Sequence, residues 1–343
     1  MGFVSKVVSP FVAGAALFIA SSTVYANEEP VNLTFSCAPF GSIAYVFGNA
    51  LEDLSNKHSS KVKISSSEGP GTTAITMNLA EDSAWVDRVG CTSLLDFTYA
   101  DLGIEPFFPE PNPEISENVK ILFNYLYGAI GLLTRDDAVE NFDDLSGSTI
   151  GLGRQAQAHW GGVPRVVFEK GAPELNVKLN YVGSAQAHDA LADGKFRTIS
   201  SQVVISPDGE TVILPGVVSQ LLSQRDDVRM LGFNEEIFTK LHEVGAPFKA
   251  IEVNSDMLPG VIPSDETFNW VFSTVGVAVS KDFSEDLAYE ITKMILTHAD
   301  ELPEYNAMFE TLDTPEKLLG DWNKEDLHPG ALKAYQEFGL LAD

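Results

Sequence analysis

From Val31 onward, short β-rich runs alternate with stretches whose apolar residues recur at helical spacing, which argues for an α/β fold with a mostly parallel sheet. Val31 to Cys37 reads as a strand and Pro39-Phe40-Gly41-Ser42 as a turn. A helix follows with Val46, Phe47, Ala50, Leu51 and Leu54 on one face. The pattern repeats at Val62 to Ser65 with a helix through Ile75 and Leu79, then at an apolar run, Trp85 to Val89, leading to Cys91. Pro-rich Glu105 to Glu114 reads as a surface loop. Ile121 to Tyr127 and Ala129 to Thr134 read as β-rich runs separated by Gly128. Further units are expected at Ser148 to Gly153, with a helix ending near Gly171, and at Lys178 to Gly183 with a helix Ser184 to Asp193. Ser184 is a candidate N-cap and Gly194 a stop. Val217 to Leu222 and Glu235 to Val244 are helical and Ser273 to Ser280 is a strand. Asp282-x-x-Glu285 resembles a capping box for a helix running on through Leu302, and Pro329 to Phe338 is a closing helix. No repeat or flexible linker divides the chain, so two lobes sharing strands fit better than two beads on a string.

Residues 1–26 have a three-part secretory layout: Lys6, an apolar run from Val7 to Ala20, and small residues ending at Val24-Tyr25-Ala26. The apolar run is shorter than the ~20 residues a bilayer span needs. Cleavage after Ala26 would export residues 27–343 to the periplasm. The 22 basic and 49 acidic residues give a net charge of −27, which argues against a nucleic-acid partner. Two cysteines, Cys37 and Cys91, each follow a strand-like run. Two buried free thiols are the expectation, and a disulfide in an oxidising compartment is the alternative.

The motifs favour binding over catalysis. Gly151-Leu152-Gly153-Arg154-Gln155-Ala156 matches GxGxxA, yet no acid for a ribose closes the next strand, so a dinucleotide reading fails. A glycine loop feeding a helix still makes an anion site from its free N–H groups, and Arg154 adds a planar charged donor. Similar junctions recur at Gly41-Ser42, Gly69 to Thr73 and Gly183-Ser184, and such loops converge at the carboxyl ends of strands. The six histidines (58, 159, 188, 242, 298, 328) show no metal spacing and read as surface or capping residues. No GxSxG elbow is present. No enzyme activity, metal or cofactor is expected.

Several segments carry a family resemblance. Gly41-Ser42-Ile43-Ala44-Tyr45-Val46-Phe47-Gly48, Asp143 to Gly153, Ala187 to Lys195, Ala288 to Lys293 and Leu327 to Tyr335 fall in the order found in TAXI-group solute-binding proteins, the exported receptors of TRAP transporters, which the mature chain resembles. Ala156-Gln157-Ala158-His159 stands where that family has Gly-Ser-Gly-Thr, and Arg197 where it has Asp. The resemblance implies a two-lobed periplasmic-binding-protein (type II-like) α/β fold. Lobe I would be 27–132 and 272–343 and lobe II 133–271, with Ala129 to Thr134 pairing Ser273 to Ser280 as hinge-crossing strands. It further implies capture of a small carboxylate or amino acid by hinge closure, delivery to integral membrane TRAP subunits, and a monomeric receptor. The expected ligand contacts are Gly41, Ser42, Tyr45, Thr72, Thr92 and Ser93 on lobe I, with Arg154, Gln155 and Gln157 on lobe II; Arg197 is either a second carboxylate clamp or an outward-facing charge. An ABC-transporter receptor, a sensor-kinase partner and an exported hydrolase are the rival readings.

Overall fold

The computed structural model describes residues 1–2, 29–104, 108–246, 248–254, 256–258 and 267–342. The expected leader, apart from residues 1–2, and residues 105–107 of the proline-rich loop lie outside them. Strands β1 (Val31–Ser36) and β2 (Val62–Ser67) pair in parallel, with Leu33 opposite Ile64. Helix α1 (Ile43–His58) crosses between them and buries Phe47, Ala50, Leu51 and Leu54, the face its periodicity assigns. Ser42 starts it by accepting from the Tyr45 N–H (3.2 Å). Helix α2 (Thr72–Glu81) buries Ile75 and Leu79.

The next strand begins later than its sequence suggests. Residues Ser83–Trp85 form a 3-10 turn capped by Asp82, Val89 makes a single bridge to Phe35, and β3 runs Gly90–Ser93. Helices α3 (Leu94–Leu102) and α4 (Glu114–Asn118) lead into β4, which is one unbroken strand, Val119–Thr134. Gly128 does not break it. An added Cβ there would lie 3.2 Å from the His159 ring, so the glycine gives that ring room.

Strand β5 (Thr149–Leu152) is followed by a π turn (Ala158–Gly162), α5 (Val163–Val166) and a second π turn (Val167–Gly171). Strand β6 (Lys178–Tyr181) and α6 (Ser184–Ala192) come next. Gly183, not Ser184, holds the N-cap position. Then follow β7 (Thr198–Ile205), β8 (Val212–Ile213), α7 (Gly216–Gln224), β9 (Arg229–Leu231), α8 (Glu235–Glu243), β10 (Lys249–Asn254) and β11 (Thr267–Ser280). Helices α9 (Glu285–Thr297), α10 (Leu302–Tyr305), α11 (Pro315–Leu319) and α12 (Pro329–Glu337) close the chain. The capping expected at Asp282 is supplied by Ser284, whose hydroxyl accepts from the Leu287 N–H.

The main sheet runs β10-β11-β4-β7-β5-β6, with β3 on β11, β9 on β4 and β8 on β7. It is mostly antiparallel, not mostly parallel. Only β5 pairs in parallel within it, to β6 and β7. The parallel pairs come from βαβ units, whereas the long strands β4 and β11 run in opposite senses. Their register also corrects the expected one. Strand β11 pairs with the first part of β4, from Ser273 opposite Gly128 to Ser280 opposite Val119, while residues 128–134 pair with β7. Each long strand thus changes partner near Gly128 and Ser273. Phe47 packs against Tyr125 (5.0 Å between ring centroids) and Phe309 (5.3 Å), tying α1 and the chain's end onto β4.

Candidate functional site

Three strand-end loops meet over the middle of β4 and β11. The β1–α1 loop brings Ala38, Ser42 and Ile43, the β2–α2 loop brings Gly71 and Thr72, and the β5–π-turn loop brings Gln157 to Trp160. Tyr125, Leu126 and Val275 come from the long strands and Gln202 from β7, around a cleft of about 80 Å³. The first N–H groups of a helix lack partners within it, so the starts of α1 and α2 and the π turn direct donors and partial positive charge toward this space. The π geometry comes from the Gly161 and Gly162 N–H groups both donating to the Gln157 carbonyl (2.8 and 3.2 Å). Such bulges are frequent at functional positions because they re-aim side chains.

His159 is 6% exposed and lines the cleft. Its Nδ1 lies 3.2 Å from Gln202 Oε1, and its Nε2 is buried with no hydrogen-bond partner among the described residues. Burial pushes the imidazole down to about 4, only partly opposed by Gln202, so the ring is neutral at pH 7. Behind α2, the buried Asp96 accepts from Thr73 Oγ1 (2.6 Å) and Ser93 Oγ (2.8 Å). Burial raises its pKa, against the pull of these hydroxyls. Among the described residues lining the cleft, none carries a formal charge at pH 7. A polar solute there meets backbone N–H groups, hydroxyls, carboxamides and one neutral imidazole.

Of the expected contacts, Ser42, Thr72 and Gln157 line the cleft together. The others do not. Gly41 is exposed at the turn, and Tyr45 packs edge-on against Phe40 (5.2 Å). Thr92 is buried and accepts from Thr76 (2.7 Å), and Ser93 caps α3 through Asp96. Arg154 and Gln155 are exposed. The Arg154 N–H donates to Gln157 Oε1 (2.7 Å), which turns that carboxamide and leaves the guanidinium outside the lining. Gln155 borders a separate small cavity beside Tyr99 and Arg165. Arg197 lies outside the cleft lining as an outward-facing charge: its side chain is 72% exposed and reaches Asp136 (3.5 Å). Sequence reasoning missed His159, Trp160, Gln202 and Tyr125. The one signal was that the segment departing from Gly-Ser-Gly-Thr ends on His159.

The cysteines also depart from expectation. Cys37 and Cys91 form a disulfide, with Cα atoms 5.4 Å apart, that joins the end of β1 to β3. Cys37 lines the cleft. The two strands lie side by side through the Phe35–Val89 bridge, which brings both sulfurs together.

A family model, the NMT1-like family, matches residues 35–339. The chain belongs to the NMT1-like family. No curated protein matches it in sequence. This NMT1-like chain shares its fold with a Rhodopseudomonas palustris protein solved with adipate (TM-score 0.53, 12% identity, 91% of this chain and 95% of that one). It likewise resembles MatC from the same organism with bound malate (TM-score 0.51, 12% identity, 90% and 96%). A third likeness is a periplasmic transporter (TM-score 0.50, 11% identity, 92% and 98%). At such identities these likenesses speak to fold: the NMT1-like chain has the α/β architecture of two-domain periplasmic binding proteins. Among the described residues no helix is long and apolar enough to cross a membrane.

Proposed function

We propose that this NMT1-like protein is an extracytoplasmic solute-binding receptor. It captures a small organic acid or amino acid between two lobes by hinge closure and makes or breaks no bond. The proposed lobes are 27–132 with 272–343, and 133–271, and the sequence resemblance to the TAXI group supports delivery to a TRAP-type transporter. The observation that carries the reading is the meeting of three helix starts around an uncharged cleft that holds the buried, unpartnered Nε2 of His159. Helix starts favour a carboxylate without a cationic side chain. The Cys37–Cys91 disulfide fits an oxidising compartment and the secretory layout of residues 1–26. Neighbours in fold with malate and adipate support an acid ligand. The proposed contacts are Ser42, Thr72, Gln157, His159, Trp160 and Gln202, with Arg154 adjoining the cleft.

Isothermal titration of residues 27–343 with malate, adipate, glutamate and other small acids tests this. A Kd near 1 μM, about −8 kcal/mol, is expected for at least one. His159→Ala and Ser42→Ala, checked by circular dichroism, are each expected to weaken it roughly tenfold, about 1.4 kcal/mol. Absence of binding across the panel, or unchanged affinity in both variants, would refute the reading. Uptake by vesicles bearing two integral TRAP subunits without ATP separates that partner from an ABC permease.

A further inference from the structure

Helix α1 begins at the cleft and ends at a second cluster about 24 Å away along its axis. His58 closes α1, His298 follows the last turn of α9, and Glu301 ends the short 3-10 turn before α10. His58 Nε2 and His298 Nδ1 each lie 2.9 Å from the same oxygen, Glu301 Oε1. The two imidazoles stack face to face, with centroids 3.5 Å apart and planes 14° from parallel. The ligand atoms of all three groups fall within 4.8 Å of one another. We propose that His58, His298 and Glu301 form a binding site for a divalent transition-metal ion, with Zn²⁺ the best match.

The chemistry follows from the donor set. Two imidazole nitrogens and one carboxylate oxygen suit zinc and its neighbours, whereas Ca²⁺ and Mg²⁺ want a shell of oxygens. Zinc bonds of ~2.0–2.2 Å to such ligands place the donors about 3.3 Å apart. The two 2.9 Å nitrogen–oxygen separations need to open by only a few tenths of an ångström, and the two imidazole nitrogens lie within 4.8 Å of each other. In the present arrangement the two ring nitrogens share the carboxylate as hydrogen-bond partner; a metal ion would take the place of the protons between them, and the rings would turn out of their parallel stack to aim their lone pairs at it. All three side chains are about one quarter exposed, so water can supply the fourth ligand. The net charge of −27 concentrates cations around the protein. A bound ion would staple the end of α1 to the α9–α10 junction. Because the site is remote from the cleft, it stands independently of the solute-binding proposal.

The test uses residues 27–343 without a histidine tag, stripped with chelator and titrated with Zn²⁺ by calorimetry. One ion per chain is expected, with a saturable rise in melting temperature that chelator reverses. Co²⁺ should give the visible bands of a four-coordinate site. His58→Ala and His298→Ala are each expected to lower affinity roughly tenfold or more, Glu301→Gln less, and His242→Ala not at all. These are surface positions, and circular dichroism of each variant confirms folding. Failure of the parent chain to bind Zn²⁺, undiminished binding in a His58→Ala/His298→Ala double variant, or a response to Ca²⁺ or Mg²⁺ alone would overturn the site.

Discussion

Among the described residues lining the cleft, His159 supplies the one imidazole, and its burial has a consequence for stability. The unfolded chain takes up a proton near 6.5, whereas the folded ring resists protonation down to about 4. Unfolding therefore absorbs a proton between those values, so stability is full above pH 6.5 and is lost as pH falls through this window. From pH 7 to pH 5 the loss from this ring is about 2 kcal/mol. Burial lowers the pKa of His188 and His328 as well, adding in the same direction. Urea midpoints at the two pH values, compared between the parent and His159→Gln, isolate the contribution; equal slopes in both proteins would disprove it. Arg154 teaches a different lesson. From sequence its place in a glycine loop predicts a carboxylate clamp and at least a tenfold loss in Arg154→Ala. Its exposed position outside the lining predicts a smaller loss in affinity and a slower, salt-sensitive association with anionic solutes, measurable by stopped flow. An unchanged association rate at low salt would exclude steering. The loop was legible because glycine marks the turn. The direction of its side chains was not, because Gln157 accepting from the Arg154 N–H and the π turn after it decide which of them face inward.

Strand-to-helix junctions were the readable elements, since apolar spacing and turn residues are local signals. Helix α1, the face of α2 and the closing α12 fall where their periodicity places them. Strands β7, β8, β9 and β10 were not recognised, and β3 lies a few residues beyond its apolar run. Each depends on neighbours distant in sequence: Thr198–Ile205 forms a strand because β4 and β5 flank it, despite the hydroxyls of Thr198, Ser200 and Ser201. The cysteines illustrate the same limit, because their approach depends on β1 lying beside Val89. The bond spans 54 residues, and on the chain-entropy estimate its closure stabilises the fold by about 4 kcal/mol. A Cys37→Ala/Cys91→Ala variant is expected to lose roughly 2–4 kcal/mol in urea unfolding. The difference should vanish when the parent is unfolded and refolded in reductant. A variant as stable as the oxidised parent would show that the bond is not a structural tie.

The two long strands tie these elements into one molecule, and their change of partner near Gly128 and Ser273 is where the proposed lobes would flex. In the present arrangement residues assigned to the two proposed lobes touch. The Tyr99 hydroxyl donates to the Ala158 carbonyl (3.1 Å), and Gly71, at φ +126°, lies so close to Ala156 that a Cβ would come within 2.3 Å of its carbonyl oxygen. Only a glycine permits that approach, and the cleft left between is small. A solute enters such a space only if the contacts part, so ligand-free protein should spend time more open, and ligand should select the closed form. Apparent affinity then scales with the fraction able to close. Small-angle scattering of residues 27–343 is expected to show a smaller radius of gyration at saturating ligand. Gly71→Ala should weaken binding and leave the complex more expanded, because its methyl group holds the lobes apart and its backbone is strained at positive φ. Tyr99→Phe, which removes one hydrogen bond without adding bulk, should weaken binding less. If the radius is the same with and without ligand, and Gly71→Ala binds as tightly as the parent, the lobes do not close around the solute and the cleft is a rigid pocket.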